Sequence, residues 1–276
     1  MRIRKQPELW QAFQIWDEFM HGAMKHKQRR EAILAGKSNL SLSKEEEAIY
    51  FYEQEAKVHA KILANEGAGV GPIWAWLTAI RGIGEHTAAK LLALYDDVGR
   101  FDNISRFCVY GGYGMHEYWV NEKGKRMAPV VGKRTFVLPD KTKEVRTIVP
   151  IPEPGWTVKK LIDKRMSGWN LFYDNRLKSE LHLVRVQFVM QRTPVYRDQY
   201  DIEKARLLIR GGRTPRHIDF MAKRKIIKIF LGHLWKAWRL SEGLPITDPY
   251  PIAHLDNHQH YIEPEFELVI SRKTHT

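Results

Sequence analysis

The sequence predicts a mainly α protein, with a helical arm, a core built on a glycine-turned helix pair, and a small β-hairpin insertion. Three observations carry this expectation. Apolar residues recur at helical spacing over most of the chain. Two helical segments meet at Gly82-Ile83-Gly84. Between residues 111 and 156 the pattern changes to glycine, proline and β-branched residues.

Residues 1–66 read as the arm. Leu9, Phe13, Trp16 and Met20 set the helical repeat in residues 7–35, and Gly36-Lys37-Ser38-Asn39 supplies a stop and a turn. Ser43 is expected to cap a second helix, with Glu46 three residues on completing a capping box. That helix runs through Ile49, Tyr52, Ala56, His59 and Leu63 to Asn65 and breaks at Gly67-Ala68-Gly69-Val70-Gly71-Pro72. Two long helices suit a coiled coil, and a homo-oligomer formed through the arm is an expected assembly. The core, 67–241, is helical over 73–110 around the glycine turn. Its β insertion, about 111–156, holds the runs Pro129-Val130-Val131, Thr135-Phe136-Val137-Leu138 and Val145-Arg146-Thr147-Ile148-Val149, with a turn at Pro139-Asp140-Lys141. Helices return at 175–207 and 217–241. Residues 242–276, rich in Pro and His, read as an extended tail.

Composition narrows the function. Hydrophobic residues at 43% and aromatics at 11% supply a core and exclude wholesale disorder. One cysteine, Cys108, excludes an internal disulfide framework and a cysteine-cluster zinc site. His254, His258 and His260 have no cysteine to join them, so no metal site is expected in this chain. The longest apolar run, residues 73–80, is far too short for a membrane helix, and Met1-Arg2-Ile3-Arg4-Lys5 has no signal-peptide stretch behind it. The expectation is a soluble, cytoplasmic, nucleoid-associated protein with no membrane partner. The net charge is +13. Residues 159–240 hold 20 Lys and Arg against 7 Asp and Glu, an excess equal to that of the whole chain. Charge concentrated in this way suits a polyanion, because each neutralised phosphate releases counterions.

The sharpest motif is Leu77-Thr78-Ala79-Ile80-Arg81-Gly82-Ile83-Gly84-Glu85-His86-Thr87-Ala88-Ala89-Lys90-Leu91-Leu92, the pattern of a helix-hairpin-helix. Gly82 and Gly84 let the backbone turn and approach a phosphate, and the amides opening the next helix can bind it. Ile83 plugs the space between the two helices, while Arg81, Thr87 and Lys90 are placed to add DNA contacts. The bland reading is a helix–turn–helix corner with glycine caps. Two later helices carry basic stripes: Lys178, Arg185 and Arg192 beside an apolar seam of Leu177, Leu181, Val184 and Phe188, then Lys225, Lys228, Lys236 and Arg239 opposite Phe220, Ile227, Phe230, Leu234 and Trp238. Such faces can track a nucleic-acid backbone, although most charge stripes are only solvated.

The hairpin is followed by Gly99-Arg100-Phe101, Phe107-Cys108-Val109-Tyr110-Gly111-Gly112, Tyr173-Asp174-Asn175-Arg176-Leu177-Lys178-Ser179-Glu180-Leu181, Gln191-Arg192-Thr193-Pro194-Val195-Tyr196-Arg197 and Ala222-Lys223-Arg224-Lys225-Ile226-Ile227-Lys228-Ile229-Phe230-Leu231. In this order, over residues 45–240, the chain resembles the C-terminal module of the DEDD-type insertion-sequence transposases, the Piv-like "IS one-ten" group. The resemblance implies DNA recombination, in some members guided by an RNA. It implies a RuvC-like domain with four metal-binding carboxylates and a C-terminal module with a serine nucleophile. Two departures stand out. The segment before the hairpin reads as helices, too short for a ribonuclease-H-like sheet, so the carboxylates and their magnesium are expected only through a RuvC-like partner. No serine occurs between Ser105 and Ser167, which leaves Ser167, in the one Ser-Gly pair, as the candidate catalytic residue, with Lys164 and Arg165 beside it. A non-catalytic DNA-binding regulator or architectural protein is the alternative, and an RNA-binding component of a recombination complex a further one.

Overall fold

A computed structural model describes residues 4–138, 141–163, 165–247 and 262. Among them, helices α1 (Pro7–Leu34) and α2 (Leu42–Ala68) fold back on each other as the arm. Their shared face is aromatic and ionic. Phe19 stacks on His59 at 4.9 Å between centroids and His26 on Tyr52 at 5.3 Å. Buried Glu45 lies 2.6 Å from His26 Nδ1. The expected capping box does not form. The helix begins at Leu42 with Ser41 as N-cap, so Ser43 lies within the first turn and its hydroxyl donates to Glu47 at 3.3 Å. Gly67 does not break the helix either. It is buried, and a Cβ there would fall 2.5 Å from the Trp74 ring and 2.8 Å from Ala89. Close packing requires this glycine, and the chain turns only after Ala68.

The core follows as α3 (Pro72–Ala79), α4 (Glu85–Tyr95), a single 3-10 turn (Val98–Arg100), α5 (Ile104–Tyr110), α6 (Asn175–Met190), α7 (Tyr196–Arg210) and α8 (Pro215–Ser241). Helix α8 packs against α3, α5, α6 and α7. Its Ala222, Ile226, Ile227, Phe230, Leu231, Leu234, Trp235 and Trp238 are fully buried. The expected seam of Leu177, Leu181, Val184 and Phe188 is buried as well, and Leu9, Phe13 and Leu63 bring the inner end of the arm into the same cluster. Three expectations are corrected here. The helix expected over 175–207 is two, because Pro194 has no N–H and restricts the residue before it. Arg192 and Val195 flank that break with positive φ of 51° and 67°. Phe220 does not point inward; it is 42% exposed. Arg239 is buried and donates to the Phe101 and Pro245 carbonyls.

The insertion is larger than one hairpin. Strands β1 (Met115–Val120), β2 (Arg126–Pro129), β3 (Gly132–Val137), β4 (Lys143–Ile148) and β5 (Thr157–Ile162) form two antiparallel sheets, one ordered β2-β1-β5 and the other the β3-β4 ribbon. Buried Asp163 ties the first sheet to the core side, accepting from the Tyr118 hydroxyl and from Phe172 N. Pro139 and Asp140 of the expected turn, most of the tail, and His254, His258 and His260 lie outside the described residues. Among the described residues no helix is long and apolar enough to cross a membrane.

Candidate nucleic-acid interface

The hairpin is residues 80–84, between α3 and α4. Ile83 N donates to Ile80 O at 3.0 Å, closing the turn, and the Ile83 side chain is 3% exposed between the helices. Gly82 sits at φ +95°, where a side chain is strained, so this glycine makes the turn. Gly84 differs. Its φ is −82°, and a Cβ there would meet nothing within 4 Å. It is the open N-cap of α4, which has no side-chain cap. The first helical amides of α4 have no intrahelical partner and carry the positive end of its dipole. Glu85 in the first turn offers them an internal carboxylate.

The hairpin does not stand alone. Thr193, 2% exposed in the break between α6 and α7, donates from Oγ1 to Arg81 O at 2.7 Å. A Cβ on Gly82 would lie 3.4 Å from Thr193 Oγ1 and 3.5 Å from Gln187 Cβ. The hairpin and the α6–α7 break therefore form one edge, with Arg81 and Arg192 both exposed along it. Thr87, half-buried, lies one turn into α4 behind this edge. Thr193 escaped the sequence reading because its partner is a carbonyl more than a hundred residues away; Pro194 was the local signal that the helix had to stop there.

Lys90 is a correction. It is 6% exposed and paired with Glu180 of α6 at 2.7 Å, with its ammonium 4.8 Å above the Trp16 ring. Every residue from Ala88 to Tyr95 is buried, and a helix apolar all round is a core helix. Lys90 thus joins arm, hairpin and α6 from inside. His86 lies beside it, edge-on to Trp16 at 4.5 Å, with no hydrogen-bond partner for Nε2 among the described residues. Burial, then the Lys90 charge, pushes its pKa down to about 4.

The remaining expected contacts are Lys178, Arg185, Lys225 and Lys228. The Lys178 ammonium caps the Tyr173 ring at 3.9 Å. Arg185 lies 2.6 Å from His182 Nδ1 and spans the Tyr113 and Phe220 rings at 5.9 and 5.8 Å. Partial burial, then Arg185 and Lys223, pushes the His182 pKa down. Lys225 pairs with buried Glu203 at 3.1 Å, whereas Lys228 is exposed. Arg224, unflagged by spacing, is held by the Tyr113 carbonyl at 2.7 Å.

Ser167 is exposed in a turn closed by Trp169 N donating to Met166 O, and makes no hydrogen bond to a described residue. A Cβ on neighbouring Gly168 would lie 4.0 Å from the Arg134 guanidinium. Arg165 is exposed, and Lys164 lies outside the described residues. No protein-family model and no curated protein matches the chain.

Proposed function

We propose that the chain binds duplex DNA through the hairpin and the adjoining α6–α7 break, as a relative of the C-terminal half of a DEDD-type transposase working in transposition or site-specific recombination. One observation carries this reading: the Thr193–Arg81 hydrogen bond fastens an open, glycine-capped helix N-terminus to a second basic turn, so that Arg81, Arg192 and the α4 amides share one edge. Phosphates accept hydrogen bonds from such amides and draw in the cations around them. The excess of Lys and Arg over residues 159–240 supports the same reading. The exposed Ser167, with no hydrogen bond to a described residue, lends no support to a strand-transfer step by this chain alone, and magnesium chemistry would belong to a RuvC-like partner. A guide RNA would fit the family but has no residue here to argue from.

The test is Gly84→Asp. The site is open and its φ is ordinary, so the fold accepts the side chain. Aspartate caps a helix better than glycine and suits the dipole, adding about 0.3 kcal/mol of stability. The same carboxylate repels a phosphate, weakening duplex binding by roughly 1–3 kcal/mol. Melting by circular dichroism and fluorescence anisotropy on a duplex should therefore move in opposite directions. Wild-type affinity should fall with salt at a log–log slope of about −0.9 per phosphate neutralised. Unchanged affinity in Gly84→Asp, or a flat salt response, would overturn the reading.

A further inference from the structure

The β3–β4 ribbon is a part of the molecule that the hairpin interface leaves without a role. Its base is fixed. Asn170 N donates to Lys133 O at 2.8 Å, the Asn170 and Thr135 side chains lie within 3.1 Å, and the Arg134 guanidinium covers the Trp169 ring at 4.1 Å. Gly132 is buried where a Cβ would fall 2.4 Å from Pro129 and 2.5 Å from Trp169. Beyond that base both faces are open. Phe136, Val137 and Val145 are exposed, although a two-stranded ribbon is marginal by itself and gains nothing from apolar groups in water.

The register makes the arrangement costlier still. Arg134 stands directly across from Arg146, with Phe136 across from Glu144 on the same face; Lys133 and Lys143 lie on the other. Like charges directly opposite each other destabilise a strand pair. Arg134 Nε has no hydrogen-bond partner among the described residues. Over residues 132–148 the sequence holds five Lys and Arg against two Asp and Glu. An anion between the strands' cations would relieve the repulsion, and a polyanion would relieve it along the whole ribbon.

We infer that the β3–β4 ribbon enters the major groove of duplex DNA, as a second contact that rests on the DNA-binding reading of the hairpin. Two strands about 4.8 Å apart fit a B-form major groove about 12 Å wide, whereas the A-form major groove of duplex RNA is deep and narrow. Lys133, Lys143 and Arg146 meet phosphates at the groove walls. Phe136, on the same face as Arg146, meets the base edges, where the apolar feature available to it is the thymine methyl group.

The experiment compares the full chain with the triple variant Lys133→Gln/Lys143→Gln/Arg146→Gln, all three residues being exposed and outside the core. Affinity for duplex DNA is measured across a salt series. Guanine N7 protection from dimethyl sulfate reads the major groove, and hydroxyl-radical protection reads the backbone. The variant should lose about 2–3 from the magnitude of the salt slope, at about 0.9 per phosphate contact. It should lose N7 protection and keep part of the backbone footprint. A variant with the wild-type slope and wild-type N7 protection overturns the ribbon contact while leaving hairpin binding standing. An equal loss of slope on duplex RNA overturns groove entry. A wild-type chain that binds no duplex removes the DNA reading itself, and the ribbon contact with it.

Discussion

The hairpin edge and the β3–β4 ribbon both present cations, but they are built in opposite ways. At the hairpin the chemistry is in the backbone, and the side chains that hold it are inside: Ile83 as plug, Thr193 as clamp, Lys90 and Glu180 as a paired strut. At the ribbon the backbone is committed to strand pairing, and Lys133, Lys143 and Arg146 stand in solvent. Lys90 and Lys143 carry the same charge, yet one belongs to the fold and the other is free to meet a partner. A basic residue beside a recognisable motif is therefore not a ligand contact until its own burial is known.

Substitution of Lys90 separates the two regions most strongly. Lys90→Ala leaves Glu180 nearly buried and unpaired, and breaking such a pair costs about 3 kcal/mol. Lys90→Met combined with Glu180→Leu replaces both charges with apolar volume and should recover most of that loss in a denaturant titration. The double variant should keep the wild-type salt slope on DNA. A shallower slope would return Lys90 to the interface. The triple ribbon variant is the mirror case, changing the slope with no loss in the denaturation midpoint.

What the sequence made legible follows the same division. The hairpin was readable because its requirements are local: a residue tolerant of φ +95° at Gly82 and an apolar plug next to it. The apolar seam of α6 and the centre of α8 were readable from spacing alone. Lys90 was misread because its partner Glu180 lies on another helix, although the unbroken apolar run around it was visible. Phe220 and Arg239 were misread because helical spacing gives the faces of α8 but not where its covering elements end. The helix break at 191–195 was overlooked despite Pro194. The insertion was legible as β but undercounted: the runs at 135–138 and 145–149 form the β3–β4 ribbon, whereas β1 and β5 pair with each other across the whole of that ribbon and have no local signal.

A smaller effect comes from His86, which has a counterpart at the hairpin only. Its folded pKa of about 4 lies below the ordinary 6.5, so the neutral ring is the one the fold accepts. The unfolded chain takes up a proton near pH 6.5 and the folded chain does not until about pH 4. Stability from this site is present above pH 6.5 and is lost as pH falls through that window. The ring keeps part of its contact with water, so the loss is discounted to on the order of 1 kcal/mol. Wild type and His86→Gln should be melted from pH 7 to pH 4. Their difference should shrink steadily as the pH falls, and a difference independent of pH would show that His86 titrates normally in the folded chain.

The smallest perturbation tests the ribbon from the side of gain. Glu144 lies 2.6 Å from Arg146, and that hydrogen bond holds its carboxyl below the usual range, so it is charged at neutral pH. The pair is exposed, and exposed pairs contribute little to stability. Glu144→Gln should leave the melting temperature where it is. It also removes the one acidic side chain among the described residues of the ribbon and releases Arg146 from its internal partner. With Arg146 directed at a phosphate, duplex affinity should rise and the salt slope should steepen by about 0.9. The corresponding change beside the hairpin, Glu180→Gln, lowers stability instead, because Glu180 faces buried Lys90. If Glu144→Gln bound DNA with wild-type affinity and slope, Arg146 would not face the duplex, and the ribbon would have to approach it on the face that carries Lys133 and Lys143.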